Sequence, residues 1–256
     1  MAEGAPAAAR HLDRDWLGKH LADERREADL LGEVREAIFG AQDGVTSILI
    51  VVITVATATA NSTAVLIAGI AAAMAEIISM AAGEYMSSRS QREIFLAQIE
   101  KERDEVNERP GESEAEVAYL FEAEGLSEAS AKRVAAELAR EPRSLLKTMV
   151  EKELGLVIES GPGALQGALV LAATFAVASV IPIGPFLFLP VRTALVVAIA
   201  ISAIVMFALG VVKSRFTRRP WLRAGLEIVG LVALASVGGF VVGTILPRIL
   251  GFEAAP

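Results

Sequence analysis

The sequence predicts an all-α membrane protein: five transmembrane helices, with a cytoplasmic helical insert between the second and the third. Three observations predict it. Hydrophobic residues make up 54% of the 256 positions and mean hydropathy is +0.50, above the roughly 45–50% apolar content of soluble domains. Charged residues, 21% of the chain, are segregated: residues 44–75 and 160–191 hold almost none, whereas 87–159 are dense with them. Several apolar runs also reach the ~20 residues that a helix needs to cross the hydrocarbon layer.

Residues 1–36 form a cytoplasmic amino-terminal segment without the basic, apolar, small-residue pattern of a cleaved leader. Its stretch HLDRDWLGKHLADERREADLLGEVRE reads as an amphipathic helix with Trp16, Leu17 and Leu21 as interfacial anchors. Residues 37–86 supply the first two spans. Span one covers 37–60 and ends at the polar turn Asn61, Ser62, Thr63; span two covers 64–86, interrupted only by Glu76 and Glu84. So short a turn makes the pair an antiparallel hairpin.

Residues 87–159 are the insert, with 17 Asp or Glu against 11 Lys or Arg, a formal −6 of the chain's −7. Span two runs on through 87–108, Pro110 and Gly111 break it, 112–124 make the next helix, ended by Gly125, Ser127 caps another reaching Arg140, and 144–154 form the last, ended by Gly155. Val117, Leu120, Phe121, Val134, Leu138, Leu145, Leu146, Met149 and Val150 recur at helical spacing and predict its core. Residues 160–256 hold spans three to five at 163–181, 193–212 and 224–246. Pro182, Pro185 and Pro190 mark the turn between spans three and four, and Pro220 opens the approach to span five. The pairs Gly40/Gly44, Gly163/Gly167 and Gly239/Gly243 have the spacing that lets spans or protomers pack closely.

Orientation follows from basic residues, which stay on the cytoplasmic side. The loop between spans four and five carries Lys213, Arg215, Arg218, Arg219 and Arg223, whereas the turn between spans three and four has only Arg192 and the tail only Arg248. The amino terminus and the insert are therefore expected in the cytoplasm and the carboxyl terminus outside the cytosol.

The chain has no cysteine, and its two histidines, His11 and His20, lie near the amino terminus. A metal would have to be held mainly by oxygen or thioether. An ionisable residue inside a span is a functional candidate. Asp43 falls in the first turns of span one, and Glu76, Met80 and Glu84 follow at i, i+4 and i+8 on span two, one face of a helix. The insert offers Glu102 and Glu105, then Glu112 and Glu116, then Met149 and Glu153. Glu-rich helices are also commonly plain solvated faces. Carboxylates with a thioether favour transition metals over Mg²⁺ or Ca²⁺, so Fe²⁺, Mn²⁺, Co²⁺ and Zn²⁺ are all candidate substrates, with no tightly bound cofactor expected. A carboxylate at low dielectric holds its proton until a cation displaces it, the physical basis of metal–proton exchange.

The stretch REAIFGAQDGVTS at 35–47 and the segment ISMAAGEYMSSRSQRE at 78–93 resemble the vacuolar iron transporter family in its bacterial form, and the likeness continues through GLS at Gly125 and ELGL at Glu153. The resemblance implies a homodimer of five-span protomers in a bacterial inner (plasma) membrane, exporting Fe²⁺, and often Mn²⁺, in exchange for protons. It implies Asp43 and Met80 as pathway positions and Glu102, Glu105, Glu116, Met149 and Glu153 as cytoplasmic ligands. The chain departs at Ala72, where plant-type members carry an acid that here stands at Glu76, and at Ser113, where a Glu is common and here Glu112 and Glu114 flank a hydroxyl. The expected partners are divalent metal ions, protons, the lipid bilayer and a second copy, with no nucleic acid and no enzymatic activity. The alternative function is metal sensing or storage without transport.

Overall fold

The computed structural model describes residues 14–155 and 163–250. His11 and the end of the insert at 156–159 lie outside the described residues. All regular structure among the described residues is helical: α1 (Arg14–Thr59), α2 (Ser62–Glu108), α3 (Pro110–Ala123), α4 (Glu128–Ala139), α5 (Pro142–Lys152), α6 (Ala164–Ile183), α7 (Val191–Thr217) and α8 (Trp221–Leu250), with a single 3₁₀ turn at Gly184–Leu187. Five of these, α1, α2, α6, α7 and α8, are long and apolar enough to cross a membrane. Two compact units result, one formed by the residues up to Tyr85 with those from Leu165 onward, the other by Met86–Ala164.

The breaks have local causes. Between α1 and α2, Ala60 takes a left-handed conformation (φ 48°), and the Asn61 side-chain oxygen accepts the backbone N–H groups of Thr63 and Ala64 at 2.9 and 3.2 Å, capping α2. Pro110 cannot donate to the preceding turn and sits at the first position of α3, where that donor is not needed. Gly125 (φ 103°) closes α3, with Leu126 N–H reaching back to the Phe121 carbonyl at 3.1 Å, a glycine-based helix stop. Pro142 opens α5, and Gly155 (φ 62°) follows its end.

Four expectations change in detail. The amino-terminal amphipathic stretch is not a separate helix but the first half of α1, continuous with span one, with Trp16, Leu17 and Leu21 exposed. Pro182 lies inside α6; near a helix end the lost bond is tolerated, so the turn begins only at Gly184. Val134 is exposed: Ala131 and Ala135, one turn apart, form the buried face of α4 and leave Val134 to the side. Ser127 precedes α4 in extended conformation, yet its hydroxyl bonds Ser130 Oγ at 3.0 Å and not the backbone.

The first unit is packed around α1. Val45, Ile48, Leu49, Val52 and Ile53 are fully buried, with Phe175 of α6, Met206 of α7 and Val232 of α8 in the same core. Glycines set the spacing. A Cβ on Gly40 would stand 2.6 Å from the Leu171 carbonyl, and one on Gly44 2.7 Å from the Phe175 carbonyl. On the other side, a Cβ on Gly239 would lie 2.9 Å from the Ile50 carbonyl and one on Gly243 2.6 Å from that of Thr54. Thr54 Oγ1 donates to the Gly239 carbonyl at 3.2 Å. Two of the three glycine pairs thus pack helices within one chain, whereas Gly163 has open space around it. The second unit has its own core of Val106, Val117, Ala118, Ala135, Leu145 and Met149.

Adjacent glycines of α8 should respond oppositely to alanine. Gly239→Ala forces α8 away from α1 and should cost about 1–3 kcal/mol. Gly238→Ala meets nothing within 4 Å and should be neutral or stabilise by up to about 1 kcal/mol through helix propensity. Thermal melts of the two variants in one detergent check this.

Candidate metal centre

The second unit gathers acidic side chains from three helices. The end of α2 presents Glu102 and Glu105 one turn apart, the start of α3 presents Glu112 and Glu116, and Glu153 caps the end of α5. One carboxylate oxygen each from Glu105, Glu112 and Glu116 lies within 4.8 Å of the others, close enough to share one cation. Glu102 is only 3% exposed, its Oε1 lies 4.0 Å from Lys101 Nζ, and its Oε2 has no hydrogen-bond partner. A buried carboxylate oxygen without a donor is costly.

Electrostatics mark the same group. Burial, then the negative charge of Glu153, and more weakly those of Glu105 and Glu116, push the Glu102 carboxyl above its ordinary range, with Lys101 opposing. Burial, then Glu153, Glu105 and Glu112, push Glu116 the same way, with Arg109 opposing. Glu102, Glu105, Glu112, Glu116 and Glu153 therefore act as one charged cluster. Met149 is fully buried in the helical core beside Val106 and Val117, which makes it a packing residue whatever else it does. Ser113 is fully buried, its hydroxyl without a partner, while Glu112 next to it supplies the carboxylate.

Sequence reasoning missed Arg109. Its guanidinium bridges two of the cluster's members, Nη2 to Glu105 Oε1 at 2.9 Å and Nη1 to Glu112 Oε2 at 2.8 Å. A basic residue next to a helix-breaking proline, one turn after one Glu and three residues before another, was the available signal.

In the first unit the ionisable residues lie along α1 and α2. Asp43 is half-buried and accepts a hydrogen bond from Ser47 Oγ at 3.0 Å, flanked by the tightly packed Gly40 and Gly44. Glu36, two turns before it, is 9% exposed and held by Arg35 at 2.5 Å; counting it with the polar amino-terminal segment hid it from the sequence reading. On α2, Glu76 is exposed, Met80 is half-buried against the core, and Glu84 is half-buried with Oε1 3.9 Å from where a Gly167 Cβ would stand. A helix of 3.6 residues per turn rotates an i, i+4, i+8 row by about 40° per step. That rotation carries the row from an open face at Glu76 to a packed one at Glu84.

Comparison with known proteins gives a consistent result. Residues 34–244 match the model of the VIT family. The chain is 30% identical to vacuolar iron transporter 1 of Eucalyptus grandis over 225 residues, covering 87% of this chain and 90% of that protein. It is 31% identical to vacuolar iron transporter 1 of Arabidopsis thaliana over 208 residues, 81% and 83% of the two chains, and 28% identical to the vacuolar iron transporter of Plasmodium falciparum over 240 residues, 90% and 87%.

The raised carboxyls carry a stability prediction. A carboxyl whose pKa is higher folded than unfolded adds stability below the unfolded value and loses it as pH rises through the folded one. The metal-free chain should therefore melt at higher temperature in mildly acid buffer than at neutral pH. Glu102→Gln should raise the neutral-pH melting temperature and flatten that dependence, as thermal melts across pH would record.

Proposed function

This chain belongs to the VIT family, and we propose on that premise that it moves Fe²⁺, with Mn²⁺ as a second substrate, out of the cytosol in exchange for protons. It is an integral membrane protein of a transporter family, not an enzyme. The observation that carries the reading is the presence of Asp43, Glu76 and Glu84 on helices otherwise apolar enough to span. Charge at that depth is retained for ions or protons, since it costs several kcal/mol otherwise. Met80, half-buried between Glu76 and Glu84 along α2, supplies the softer ligand that discriminates against Mg²⁺ and Ca²⁺.

In this reading Glu105, Glu112 and Glu116, supported by Glu102 and Glu153, take the metal first, and Glu84, Met80, Glu76 and Asp43 conduct it. Proton coupling follows from shared sites: a carboxyl that holds its proton gives it up when a dication arrives, and a proton arriving from the far side expels the dication. The basic run from Lys213 to Arg223 supports a cytosolic side for that loop and, with it, for the amino-terminal half of α1 and the acidic unit in this reading. A homodimer is part of the proposal. Glu76 is exposed on α2, and Ile67, Ile70, Met74 and Ile78 are exposed on the opposite side of that helix; a second copy packed over the Glu76 side would shield that carboxylate from lipid.

Flux of Fe²⁺ into proteoliposomes carrying a pH gradient tests the reading. The native chain should transport iron, and Asp43→Ala or Glu76→Ala should reduce the rate by about tenfold or more, the scale of losses when a metal's immediate surroundings change. Collapsing the gradient should abolish uphill movement; transport indifferent to it would sink the coupling. If no divalent metal moves under any gradient, sensing or storage replaces transport. Met149→Leu, which conserves volume, should leave the melting temperature nearly unchanged and weaken Fe²⁺ binding only if the sulfur is a ligand.

A further inference from the structure

We propose that Arg109 is a tethered counter-ion of the acidic site, holding the place between Glu105 and Glu112 until an incoming dication displaces it. The inference rests on the reading of Glu105, Glu112 and Glu116 as metal ligands, and adds a residue that cannot itself be one. A guanidinium has five donors, no acceptor and a permanent charge.

The backbone fixes its position. Arg109 N–H donates to the Glu105 carbonyl at 2.8 Å, ending α2, and its own carbonyl accepts from Glu112 and Ser113 at 3.0 and 3.2 Å, starting α3. The joint between two helices therefore delivers the side chain between a carboxylate one turn earlier and another three residues later, at 2.9 and 2.8 Å. The side chain itself is 54% exposed, so it can swing into solvent while its backbone stays in place. Glu105 and Glu112 each give one oxygen to Arg109, and Glu116 has an oxygen within reach of both. A divalent ion bound by these three competes with the guanidinium for the carboxylates of Glu105 and Glu112.

A second observation says that one positive charge does not satisfy the site. Glu102 Oε2 is buried without a hydrogen-bond donor, and its carboxyl feels the charges of Glu105, Glu116 and Glu153. Arg109 relieves enough repulsion to keep the carboxylates gathered, and the remaining excess draws a dication. Exchange with an internal cation keeps affinity moderate and release fast, as a relay toward a pathway requires.

The test is Mn²⁺ binding to the full chain in detergent, read from the electron paramagnetic resonance signal of free Mn²⁺, with thermal melts as the folding control. Exposed ion pairs are individually weak, so Arg109→Gln should tighten binding by roughly three- to tenfold, with slower dissociation. Arg109→Lys, a compact charge that cannot fork across two carboxylates, should fall between Gln and native, and carries the comparison if the Gln variant folds poorly. Glu105→Gln should weaken binding. If Glu105→Gln weakens binding while both Arg109 variants match or fall below native affinity, the counter-ion is overturned and the site stands. If Glu105→Gln changes nothing, the site reading fails and the counter-ion with it.

Discussion

The membrane unit depends on α1 being approached backbone to backbone from two sides. Gly40 and Gly44 admit α6, and Gly239 and Gly243 admit α8. In lipid there is no hydrophobic gain from pairing apolar helices, so close van der Waals contact over small residues has to supply the attraction. The same contacts explain why Asp43 can sit where it does. It lies between two glycines whose faces are occupied by α6 backbone, and Ser47 one turn later answers its carboxylate from the same helix. Ser47 therefore orients the Asp43 carboxylate from within its own helix.

The acidic unit solves the opposite problem. Its helices carry more negative than positive charge, and five carboxylates are drawn together by an apolar core that does not involve them. Val106 follows Glu105, Val117 follows Glu116, and Met149 lies one turn before Glu153, so these three carboxylates are each pinned by an adjacent or nearby core residue. Lys152 adds a brace at the far end: its ammonium holds both oxygens of Glu124 at 2.6 Å and lies 4.5 Å from the centre of the Phe121 ring, a cation over an aromatic face. Packing contributes the stability and the carboxylates spend part of it, a division common at functional sites.

Much of this was legible in the sequence, and the reasons differ by level. Five apolar runs, the Asn61 turn and the Pro110 break were readable because each is a local property of length, capping or a missing donor. The acids on α1 and α2 stood out because hydrocarbon makes them anomalous. Glu36 and Arg109 were hidden because, in a polar stretch, a single charge carries no anomaly; only tertiary placement shows that one is buried and the other bridges a cluster. Val134 was misread for a related reason. Helical periodicity says which residues share a face but not that Ala131 and Ala135 would be the side of α4 that meets its neighbours. The glycine pairs announced close packing without naming a partner, and two proved to pack within the chain.

The packing of α1 also has a temporal side. The helix that anchors the unit is synthesised long before the helix that grips its second half: Thr54 meets Gly239 across 185 residues of chain. Until α8 arrives, the α1 surface at Ile50 and Thr54 lacks its partner, although the Gly40 and Gly44 side can already be covered by α6. Contacts of such separation are slow to form, and a chain interrupted before Gly239 would carry every candidate site residue described above yet lack this clasp. Such a product would expose the unmatched surface by which quality-control proteases recognise incomplete membrane proteins.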